Sequence, residues 1–455
     1  MRRDVGNIII LGAGPTGLGA AFRLLESGFR DFLILEQQPL PGGLASSIVD
    51  PQGFTWDLGG HVQFSHYPYY DGVLDRVIPD WLYHERESSV WIAGRFVPYP
   101  FQNNIRHLDR HDRERILGDM RKLSPTGSPT NFKEWIARTF GDSLAEMFLL
   151  PYNFKVWGYP LETLGVSWMG ERVAVPDIAR IERNIARGED DVSWGPNNRF
   201  RFPLRGGTGA IWQAVAETIP REHFRFNCTV QTIDAGRRQI ETSNRSFDYT
   251  TLISTMPLDL LCAQTLNLEA SATEAARQLV HSSVHIVGIG LEGALPETLA
   301  RKCWMYFPER QSPYYRVTVF SNYSPHHVPD SAKHWSLMAE VCETAVKPVD
   351  RGTLMERTLA ALRADGMIPG GAKVVSTWQR RLGHGYPTPF LGRDGVLNTI
   401  HTDLEAKTIF SRGRFGAWKY EVSNQDHSFM QGVELADRLL NGTREKTFAG
   451  PAESG

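Results

Sequence analysis

The sequence has few cysteines, almost no net charge and no long apolar run, and each shortage excludes a class of protein. Its four cysteines are widely spaced and form no CxxC or Cys/His cluster. This argues against a disulfide framework or a cysteine-ligated metal, and it favours reduced thiols in a cytoplasmic protein. No stretch of 18 apolar residues is present, so we expect no membrane-spanning helix. A formal net charge of −2 gives no electrostatic basis for binding nucleic acid or an anionic membrane. We therefore expect no metal, no nucleic acid and no membrane among the partners.

Internal repeats and low-complexity segments are also lacking, and the composition is otherwise that of an ordinary globular protein. The 455 residues, 41% of them hydrophobic and 22% charged, are enough for two or three domains with a large core. Aromatic residues are plentiful, at 11% and including 12 tryptophans. Such a content fits a site that stacks rings and sugars.

The strongest local pattern lies in the first forty residues. A short apolar run, Ile8–Leu11, leads directly into a GxGxxG motif at residues 12–17, and a second apolar run, Phe32–Leu35, ends on Glu36. A helix-like segment separates the two runs, so the pattern indicates strand, glycine-rich turn, helix, strand and acid. A GxGxxG motif alone could be a tight structural turn, but inside this whole βαβ frame it predicts dinucleotide binding.

Each residue type in the motif has a physical reason for its position. Gly12 permits the tight turn, Gly14 lets the backbone approach a pyrophosphate, and Gly17 lets the helix pack close to the strand. The N-terminus of the helix offers free N–H groups and a partial positive charge to the phosphates. Glu36 stands where the ribose diol of a dinucleotide is bound.

Two further glycine pairs extend the pattern and favour FAD over NAD. The first pair is followed by Leu44 (residues 42–44) and the second by His61 (residues 59–61). Glycines at these places indicate backbone that lies flat against a large planar cofactor. The pattern resembles the FAD domain of the family that includes amine oxidases, protoporphyrinogen oxidases and sugar-nucleotide mutases.

The rest of the chain predicts two more structural units. Residues 105–199 read as mainly helical, and one helix, Asp142–Leu150, is expected to stop at Pro151. From about 280 to 380, longer apolar strands predict an antiparallel sheet that forms a second layer. A second GxGxxG match at residues 288–293 lacks the βαβ frame, because Pro296 follows too early for a packing helix, and we interpret its glycines as part of a strand.

Together these patterns predict an α/β fold: a Rossmann-like FAD-binding domain with an inserted helical domain and an antiparallel β-sheet domain. We place the FAD-binding domain in residues 1–104, 200–265 and 405–455. The mainly helical substrate-binding domain takes residues 105–199, and the antiparallel β-sheet domain takes residues 266–404.

Several long motifs resemble those of the UDP-galactopyranose mutase family in its eukaryotic form. They occur from residue 8 to about residue 440, and the most specific are residues 59–67, 97–105, 151–157, 385–389 and 411–429. The resemblance implies an isomerase (an intramolecular transferase) that interconverts UDP-galactopyranose and UDP-galactofuranose through a reduced-flavin N5–sugar C1 adduct, with no net redox change. It also implies non-covalent FAD that is active when reduced, NADPH or NADH as a transient reductant, a UDP-sugar as substrate, and a possible homo-oligomer.

The resemblance also implies roles for individual residues. The catalytic set is His61 beside the flavin, Arg172 and Arg316 as a diphosphate clamp, and Arg414 at the sugar and flavin. Substrate binding is implied for Tyr99, Gln102, Phe148, Asn153, Trp157, Asn197, Trp304, Tyr306, Tyr386, Tyr420 and Asn424. FAD binding is implied for Gly12, Gly14, Thr16, Gly17, Glu36, Gly43, Leu44, Gly60, His61, Gly413, Asn424, Gln425 and Ser428. Arg86 and Ser88 resemble positions that serve NADPH. The helix that begins near His427 is expected to point its N-terminus at the flavin ring.

The residues by themselves leave other interpretations open. Without the matching motifs, Arg172 beside Glu171 is a helix ion pair, Phe148 a core residue and His61 a turn residue. At the level of function, the alternatives are a mutase of the same class that acts on another nucleotide sugar, and an amine-oxidase-type FAD oxidoreductase. The sequence departs from the family at Gln63, where an apolar residue beside the flavin is usual.

Overall fold

The computed structural model describes residues 5–124, 127–192 and 194–450. The strands in these ranges are β1 (Ile8–Leu11), β2 (Phe32–Leu35), β3 (Ser47–Val49), β4 (Thr55–Asp57), β5 (Trp81–Glu85), β6 (Ser88–Ile92), β7 (Arg95–Pro98), β8 (Arg199–Pro203), β9 (Phe224–Arg225), β10 (Val230–Asp234), β11 (Gln239–Thr242), β12 (Ser246–Asp248), β13 (Thr251–Ser254), β14 (Thr265–Leu266), β15 (His281–Glu292), β16 (Trp304–Tyr306), β17 (Arg316–Val319), β18 (His334–Glu343), β19 (Lys373–Pro387) and β20 (Ile409–Ser411).

The α-helices are α1 (Pro15–Glu26), α2 (Pro68–Val77), α3 (Arg110–Lys122), α4 (Phe132–Phe140), α5 (Asp142–Leu144), α6 (Leu150–Trp157), α7 (Ile178–Arg187), α8 (Gly207–Glu217), α9 (Leu258–Gln264), α10 (Ala270–Ala276), α11 (Leu354–Ala364), α12 (Arg393–Ala406) and α13 (Gln425–Asn441). Short 3₁₀ turns lie at Gly43–Ala45, Phe101–Asn103, Ile105–His107, Leu161–Thr163, Gly170–Arg172, Pro196–Asn198, Arg221–His223, Glu297–Leu299, Phe320–Asn322, Pro325–His327 and Tyr420–Val422. No helix in the described ranges is long and apolar enough to cross a membrane.

A five-stranded parallel sheet carries the predicted βαβ frame. Its strand order is β20-β13-β1-β2-β9, with β1 hydrogen-bonded between β13 and β2. The strand, turn, helix and strand predicted for residues 8–35 are all present, because β1 and β2 are buried apolar runs joined by α1. This part of the predicted fold is confirmed.

Two glycines bring α1 into close contact with the C-terminal helix α13. A Cβ atom on Gly19 would lie 2.4 Å from the carbonyl oxygen of Phe429, and one on Gly432 would lie 2.0 Å from that of Thr16. Real Cβ atoms do not approach backbone so closely, so the helices can pack at this separation only with glycine at both positions. As a result both helix N-termini lie at the same side of the parallel sheet.

The predicted helical segment is present, but Pro151 does not end a helix. α5 continues through a π-helical turn, Ala145–Leu149, directly into α6, and Pro151 lies in the first turn of α6. The wider π turn before Pro151 shifts the hydrogen-bond register, so the helical path continues although proline donates no N–H. The expectation of a stop at Pro151 is therefore wrong.

A seven-stranded, mostly antiparallel sheet forms the second layer, as predicted. Its order is β19-β15-β18-β17-β16-β6-β7, and only the β16–β6 pair is parallel. The hairpin β6–β7, which the predicted boundaries gave to the FAD-binding domain, is hydrogen-bonded into this sheet because Ser88–Ile92 pairs with Trp304–Tyr306. The predicted α/β fold class is confirmed, while the domain boundaries stay a prediction.

Other strands are divided between the parallel sheet and smaller sheets. β9 and β13 join the parallel sheet, whereas β10, β11 and β12 form a separate four-stranded sheet with β14. Another hairpin, β3–β4, packs its aromatic residues against the large sheet.

Of the second GxGxxG match, Gly288 and Gly290 lie inside strand β15, where they leave space for this hairpin, and Gly293 lies in the turn after the strand. A Cβ atom on Gly288 would lie 2.7 Å from the indole ring of Trp56, and one on Gly290 would lie 2.7 Å from the ring of Phe54. Both aromatic side chains are buried, and Trp56 Nε1 donates a 2.8 Å hydrogen bond to Asp50. The glycines therefore serve packing and not a second dinucleotide.

We expect Gly288→Ala to lower the free energy of unfolding by about 1–3 kcal/mol, because the new methyl group must displace the fixed ring of Trp56. Urea denaturation followed by circular dichroism measures the change. Gly395→Ala is the matched control, since Gly395 lies in α12 with no atom within 4 Å of the position that a Cβ would take; it is expected to be neutral or slightly stabilising. Equal stability of Gly288→Ala and the unmodified chain would contradict this account of β15.

Candidate active site

One large cavity joins the parallel sheet to the seven-stranded sheet. It begins at the carboxyl ends of the parallel strands, where Gly12, Glu36, Thr255 and Gly413 follow β1, β2, β13 and β20. Ligands of α/β sheets bind at this edge. The cavity volume is about 1660 Å³, above the roughly 300–1,000 Å³ of a site for one drug-sized ligand. There is room for a large cofactor and a substrate together.

The sheet end of the cavity has the features that a dinucleotide needs. Gly12 has φ +99°, and a Cβ atom on Gly17 would lie 2.0 Å from the Gly12 carbonyl oxygen, so only glycine fits this turn. The first residues of α1 line the cavity, and no described side chain caps the helix N-terminus. Free N–H groups at a helix N-terminus bind phosphate. The chain therefore fits the pyrophosphate of FAD at this end.

The Glu36 carboxylate is fixed at the same end. It accepts 2.7 Å hydrogen bonds from the backbone N–H groups of Ala13 and Gln38. Burial raises the pKa of Glu36 although these two N–H groups favour its charged form. A carboxylate held in this way, between the glycine motif and the residues after β2, is in the place expected for the acceptor of a ribose diol.

The N-terminus of α13 supplies a second helix end to the cavity. The helix begins at Gln425, two residues before the predicted start near His427, and Asn424, Gln425 and Ser428 line the cavity. Two buried polar atoms in this turn, Gln425 Nε2 and Asp426 Oδ2, have no hydrogen-bond partner among the described residues. Buried polar atoms are nearly always satisfied. A polar cofactor at this helix end fits them.

Gln63 is held in place by neighbouring polar groups. Its Oε1 accepts a 2.6 Å hydrogen bond from the Tyr70 hydroxyl, and its Nε2 donates to Gln425 Oε1 at 2.9 Å. Trp212 Nε1 donates to the same Gln425 oxygen at 2.8 Å. The side chain of Gln63 is therefore fixed by two hydrogen bonds, and it orients Gln425 at the start of α13.

Glu340 connects the glycine-histidine loop to the predicted diphosphate clamp. Its carboxylate accepts hydrogen bonds from Arg316 Nε at 2.8 Å and Arg316 Nη2 at 2.9 Å, from the Tyr315 hydroxyl at 2.6 Å and from the Gly60 N–H at 3.1 Å. A Cβ atom on Gly60 would lie 3.1 Å from both Arg316 and Glu340, which explains the glycine. One buried carboxylate thus orients a catalytic candidate and the loop that carries His61.

His61 is neutral at physiological pH. Burial, with a smaller contribution from Arg414 and Arg316, lowers the pKa of His61 to about 3. Its Nδ1 atom has no hydrogen-bond partner in the part of the chain that the structure describes. A neutral imidazole with an unused nitrogen beside two arginines can bind a polar ligand without adding a third positive charge.

Arg172 and Arg414 line the cavity without a carboxylate partner among the described residues. Arg414 donates to the carbonyl oxygen of Gly385 at 2.9 Å and to the Ser423 hydroxyl at 2.9 Å, and burial lowers the pKa of Arg414. Arg172 donates to the carbonyl oxygen of Glu421 at 2.5 Å. A partly buried guanidinium bound only by neutral oxygens lacks a counter-ion. The pair indicates that the cavity takes an anionic ligand.

Four predicted tyrosines lie around these arginines. The Tyr99 and Tyr306 rings have centroids 5.0 Å apart, and the Tyr386 and Tyr420 rings are 5.7 Å apart. The guanidinium carbon of Arg172 lies 4.9 Å from the centroid of the Tyr420 ring, and that of Arg414 lies 4.9 Å from Tyr386. These contacts hold the arginines against aromatic faces. All four tyrosines line the cavity.

The structure brings most of the predicted site residues together on this cavity. The four catalytic candidates line it, and so do Tyr99, Asn197, Tyr306, Tyr386, Tyr420, Asn424, Gly12, Gly14, Thr16, Glu36, Gly43, Leu44, Gly60, Gly413, Gln425, Ser428 and Arg86. Gly17 serves the turn and not the cavity surface. Arg86 donates to Asn197 Oδ1 at 2.6 Å, so these two predicted residues are partners.

Six predicted residues lie behind the cavity wall. Gln102 Nε2 donates to the Ala174 carbonyl oxygen at 2.6 Å, and Asn153 Nδ2 donates to the Leu149 carbonyl oxygen at 2.8 Å. Phe148 stacks on Tyr152 in the helical core. The ring of Trp157 packs on Tyr420. Trp304 Nε1 donates a 2.7 Å hydrogen bond to the Tyr306 hydroxyl, and Ser88 pairs with Trp304 where β6 lies beside β16. Their roles with substrate and NADPH stay predictions.

Sequence reasoning missed Glu340 and the acceptors of Arg414. Glu340 is 2% exposed and lies in a strand of otherwise apolar neighbours, Leu337–Val341. A single acid in such a strand is the signal that could have indicated it, because an unpaired buried charge is costly. The Gly385 carbonyl and the Ser423 hydroxyl carry no comparable signal in the sequence.

The comparisons with known proteins agree with this geometry. Residues 15–381 match the family of flavin containing amine oxidoreductases. A solved structure of reduced UDP-galactopyranose mutase is 47% identical, with a TM-score of 0.96, over 98% of this chain and 96% of that one. Two curated Arabidopsis thaliana relatives are more distant. Protein FLOWERING LOCUS D is 24% identical over 56% of this chain, and lysine-specific histone demethylase 1 homolog 2 is 21% identical over 96%. The chain spans 31% and 58% of the length of these two relatives.

The family match covers most of the chain, and the 47% identity extends over both chains almost completely. The chain belongs to the flavin-containing amine oxidoreductase family and, within it, to the UDP-galactopyranose mutases.

Proposed function

We propose that this chain is a flavin-dependent isomerase that interconverts UDP-galactopyranose and UDP-galactofuranose. The observation that carries the proposal is the pair Arg172 and Arg414. Both line the substrate half of the cavity, and neither has a carboxylate partner in the described ranges. The side chain of Glu171, the partner in the ion-pair interpretation, lies outside what the structure describes. An amine substrate brings positive charge and would leave these cations uncompensated, whereas a nucleoside diphosphate supplies the missing negative charge.

The chain's own residues supply the binding and charge stabilisation that the reaction needs. Reduced FAD, when bound, supplies the nucleophilic ring nitrogen that displaces the diphosphate from the sugar. Arg172 and Arg316 bind that diphosphate, and their charge stabilises the negative charge that develops on the leaving group. Glu340 orients Arg316 through two hydrogen bonds, and Arg316 Nη1 makes no hydrogen bond to the protein residues that the structure describes. That nitrogen remains available for a phosphate oxygen.

The loop that carries His61 and the arginine clamp are oriented by the same carboxylate. Because the Gly60 N–H and Arg316 both donate to Glu340, the flavin side and the diphosphate side of the cavity keep a fixed separation. Such pre-organisation lowers the cost of bringing the sugar carbon to the flavin. Neutral His61 offers Nδ1 as a hydrogen-bonding atom at this junction.

The remaining substrate contacts follow from the aromatic residues. We infer that Tyr306, Tyr386 and Tyr420 donate hydroxyl hydrogen bonds to the diphosphate and that Tyr99 contacts the uridine, with Gln102, Phe148 and Asn153 behind it. We further infer that NADPH reduces the flavin through the open cavity and that Arg86 serves this step.

The cysteines support a cytoplasmic location in this proposal. All four are buried and free, and burial raises the pKa of the Cys303 and Cys342 thiols to about 11. Such thiols stay protonated, as is typical of structural cysteines in a reducing compartment.

The deciding experiment measures isomerisation directly. The purified flavoprotein is reduced with dithionite and given UDP-galactofuranose, and UDP-galactopyranose is quantified by chromatography. Turnover by the reduced protein and none by the oxidised protein is expected. Conversion of a different UDP-sugar only would favour the rival mutase, and oxygen consumption with an amine would favour the oxidase.

We expect Arg316→Ala to lower kcat by about 100-fold or more, as loss of a group that stabilises transition-state charge does. Steady-state kinetics with the reduced enzyme measures the change. Arg381→Ala is the matched control: Arg381 is bound by Glu343 and Ser283, outside the proposed clamp, and its loss is expected to change kcat less than about 3-fold. Near-normal turnover of Arg316→Ala would remove this residue from the clamp.

We expect His61→Asn to make the protein less sensitive to acid. The pKa of His61 is about 3 when folded and near 6.5 when exposed. Below pH 6.5 the unfolded chain therefore binds a proton that the folded chain does not. His61 thus costs the native protein about 1 kcal/mol for each pH unit between 6.5 and 3, and replacement by asparagine abolishes this loss. Urea unfolding between about pH 7 and pH 5, a window that spans the upper part of this range, measures the two slopes.

His401→Asn provides the control for this experiment. Burial and Arg412 lower the pKa of His401 to about 3 as well, but His401 lies outside the cavity. The variant His401→Asn should reduce the acid sensitivity by a similar amount and leave turnover unchanged. The variant His61→Asn should reduce both the acid sensitivity and turnover. Parallel slopes for the unmodified chain and His61→Asn would show that His61 titrates normally.

A further inference from the structure

Three side chains with metal-ligating atoms meet beside the cavity, at the junction of the two large sheets. They are Asp259 in α9, His281 at the start of β15 and His384 near the end of β19. His384 Nε2 lies 2.9 and 3.0 Å from the two carboxylate oxygens of Asp259, and His281 Nε2 lies 3.7 Å from Asp259 Oδ2. The imidazole rings are stacked, with centroids 4.0 Å apart and an interplanar angle of 21°. Both Nε2 atoms therefore converge on one carboxylate.

The distances from the two imidazole nitrogens to the carboxylate fit neighbouring ligands of one zinc ion, and a rotation of the stacked rings is needed to direct both Nε2 lone pairs at that ion. With metal–ligand bonds of about 2.0–2.1 Å, neighbouring ligand atoms of a tetrahedral ion lie about 3.3 Å apart. The observed 2.9 and 3.7 Å bracket this value. Two imidazoles, one carboxylate and a water molecule form a set that zinc uses in proteins. Calcium and magnesium prefer oxygen ligands, so the two imidazoles select a transition metal.

The surroundings are also suited to a metal ion. His281 Nδ1 lies 3.4 Å from the Ser282 carbonyl oxygen, so a proton on Nδ1 points there and leaves Nε2 free as a ligand. Phe415 and Trp418 pack edge-on against His384, with centroids 5.1 and 6.3 Å from its ring. Such an apolar wall restrains the imidazole. His384 lines the cavity, which gives an ion a path to the three ligands.

We propose that Asp259, His281 and His384 form a binding site for a divalent transition metal of the zinc class. The metal joins α9, which follows the parallel sheet, to β15 and β19 of the seven-stranded sheet. It also fixes the backbone beside Gly385, whose carbonyl oxygen accepts the hydrogen bonds of Arg414. The site is therefore separate from the flavin and diphosphate contacts but supports the strand that positions one of the catalytic candidates.

The test measures metal binding by the complete flavoprotein after treatment with a chelator. Zinc is titrated by calorimetry, and Co²⁺ is titrated as a spectroscopic probe at wavelengths longer than those absorbed by the flavin. We expect one tight equivalent of zinc, tetrahedral Co²⁺ bands and a higher Tm with zinc. In His384→Ala and in Asp259→Asn, zinc affinity is expected to fall at least about 100-fold, at or beyond the upper limit for losing an outer-shell partner.

Two further variants show whether zinc binds at this cluster. Asp259→Asn keeps the size of the carboxylate and a hydrogen-bonding oxygen, so it tests ligation even where His384→Ala folds poorly. His111→Ala removes a second candidate cluster, the exposed Asp109, His111 and Asp112, and should bind zinc as the unmodified chain does.

A simple His384–Asp259 ion pair predicts a different set of results. In that case the unmodified chain takes up no tight equivalent of zinc. Alternatively, Asp259→Asn binds zinc as tightly as the unmodified chain does, or His111→Ala abolishes zinc binding. Any of these overturns the proposal. The readout is metal binding, so it is independent of whether the chain isomerises a UDP-sugar.

Discussion

The close contact between α1 and α13 is the constraint on which the site depends. Only glycine at positions 19 and 432 lets the two backbones approach, and this approach places both helix N-termini at the edge where the parallel strands end. Two helix ends provide unsatisfied N–H groups and partial positive charge to one cavity. A pyrophosphate at one helix end and a flavin ring at the other fit these N–H groups and partial positive charges. The cofactor site is thus a consequence of helix packing more than of any single side chain.

The distribution of charge in the cavity then determines what binds beside the cofactor. Glu340 neutralises Arg316 and fixes its direction, while Arg172 and Arg414 keep only neutral acceptors among the described residues. Since His61 stays neutral, the substrate half carries a net positive charge that a diphosphate offsets. The amine oxidases of the same family share this fold, and a cavity of this charge is unsuited to a cationic substrate. Fold alone therefore does not decide the reaction.

Much of the fold was predictable, because local patterns carry it. The βαβ frame of residues 8–36 and the long strands of the second sheet follow from apolar periodicity and glycine positions, and both are confirmed. The predicted helix end at Pro151 was wrong because a π-helical turn accommodates the proline within a continuous helix, and such a turn has no sequence signature. Glu340 was missed because its partners, Gly60 and Arg316, come from distant segments. The Asp259–His281–His384 cluster was not predicted, because its residues also come from distant segments and only the register of β15 and β19 brings the two histidines together.

The long stretch of sequence between α1 and α13 has a consequence for folding during synthesis. The helix α1 packs on residues that the ribosome adds about 400 residues later, and β20 completes the edge of the first sheet only shortly before. At typical synthesis rates, roughly 20–80 s pass between the synthesis of α1 and that of α13, and during this time α1 and the apolar face of β1 are not covered by α13. The second helix end that lines the cavity is absent until α13 has been synthesised, so the cofactor site is complete only after these residues have been added.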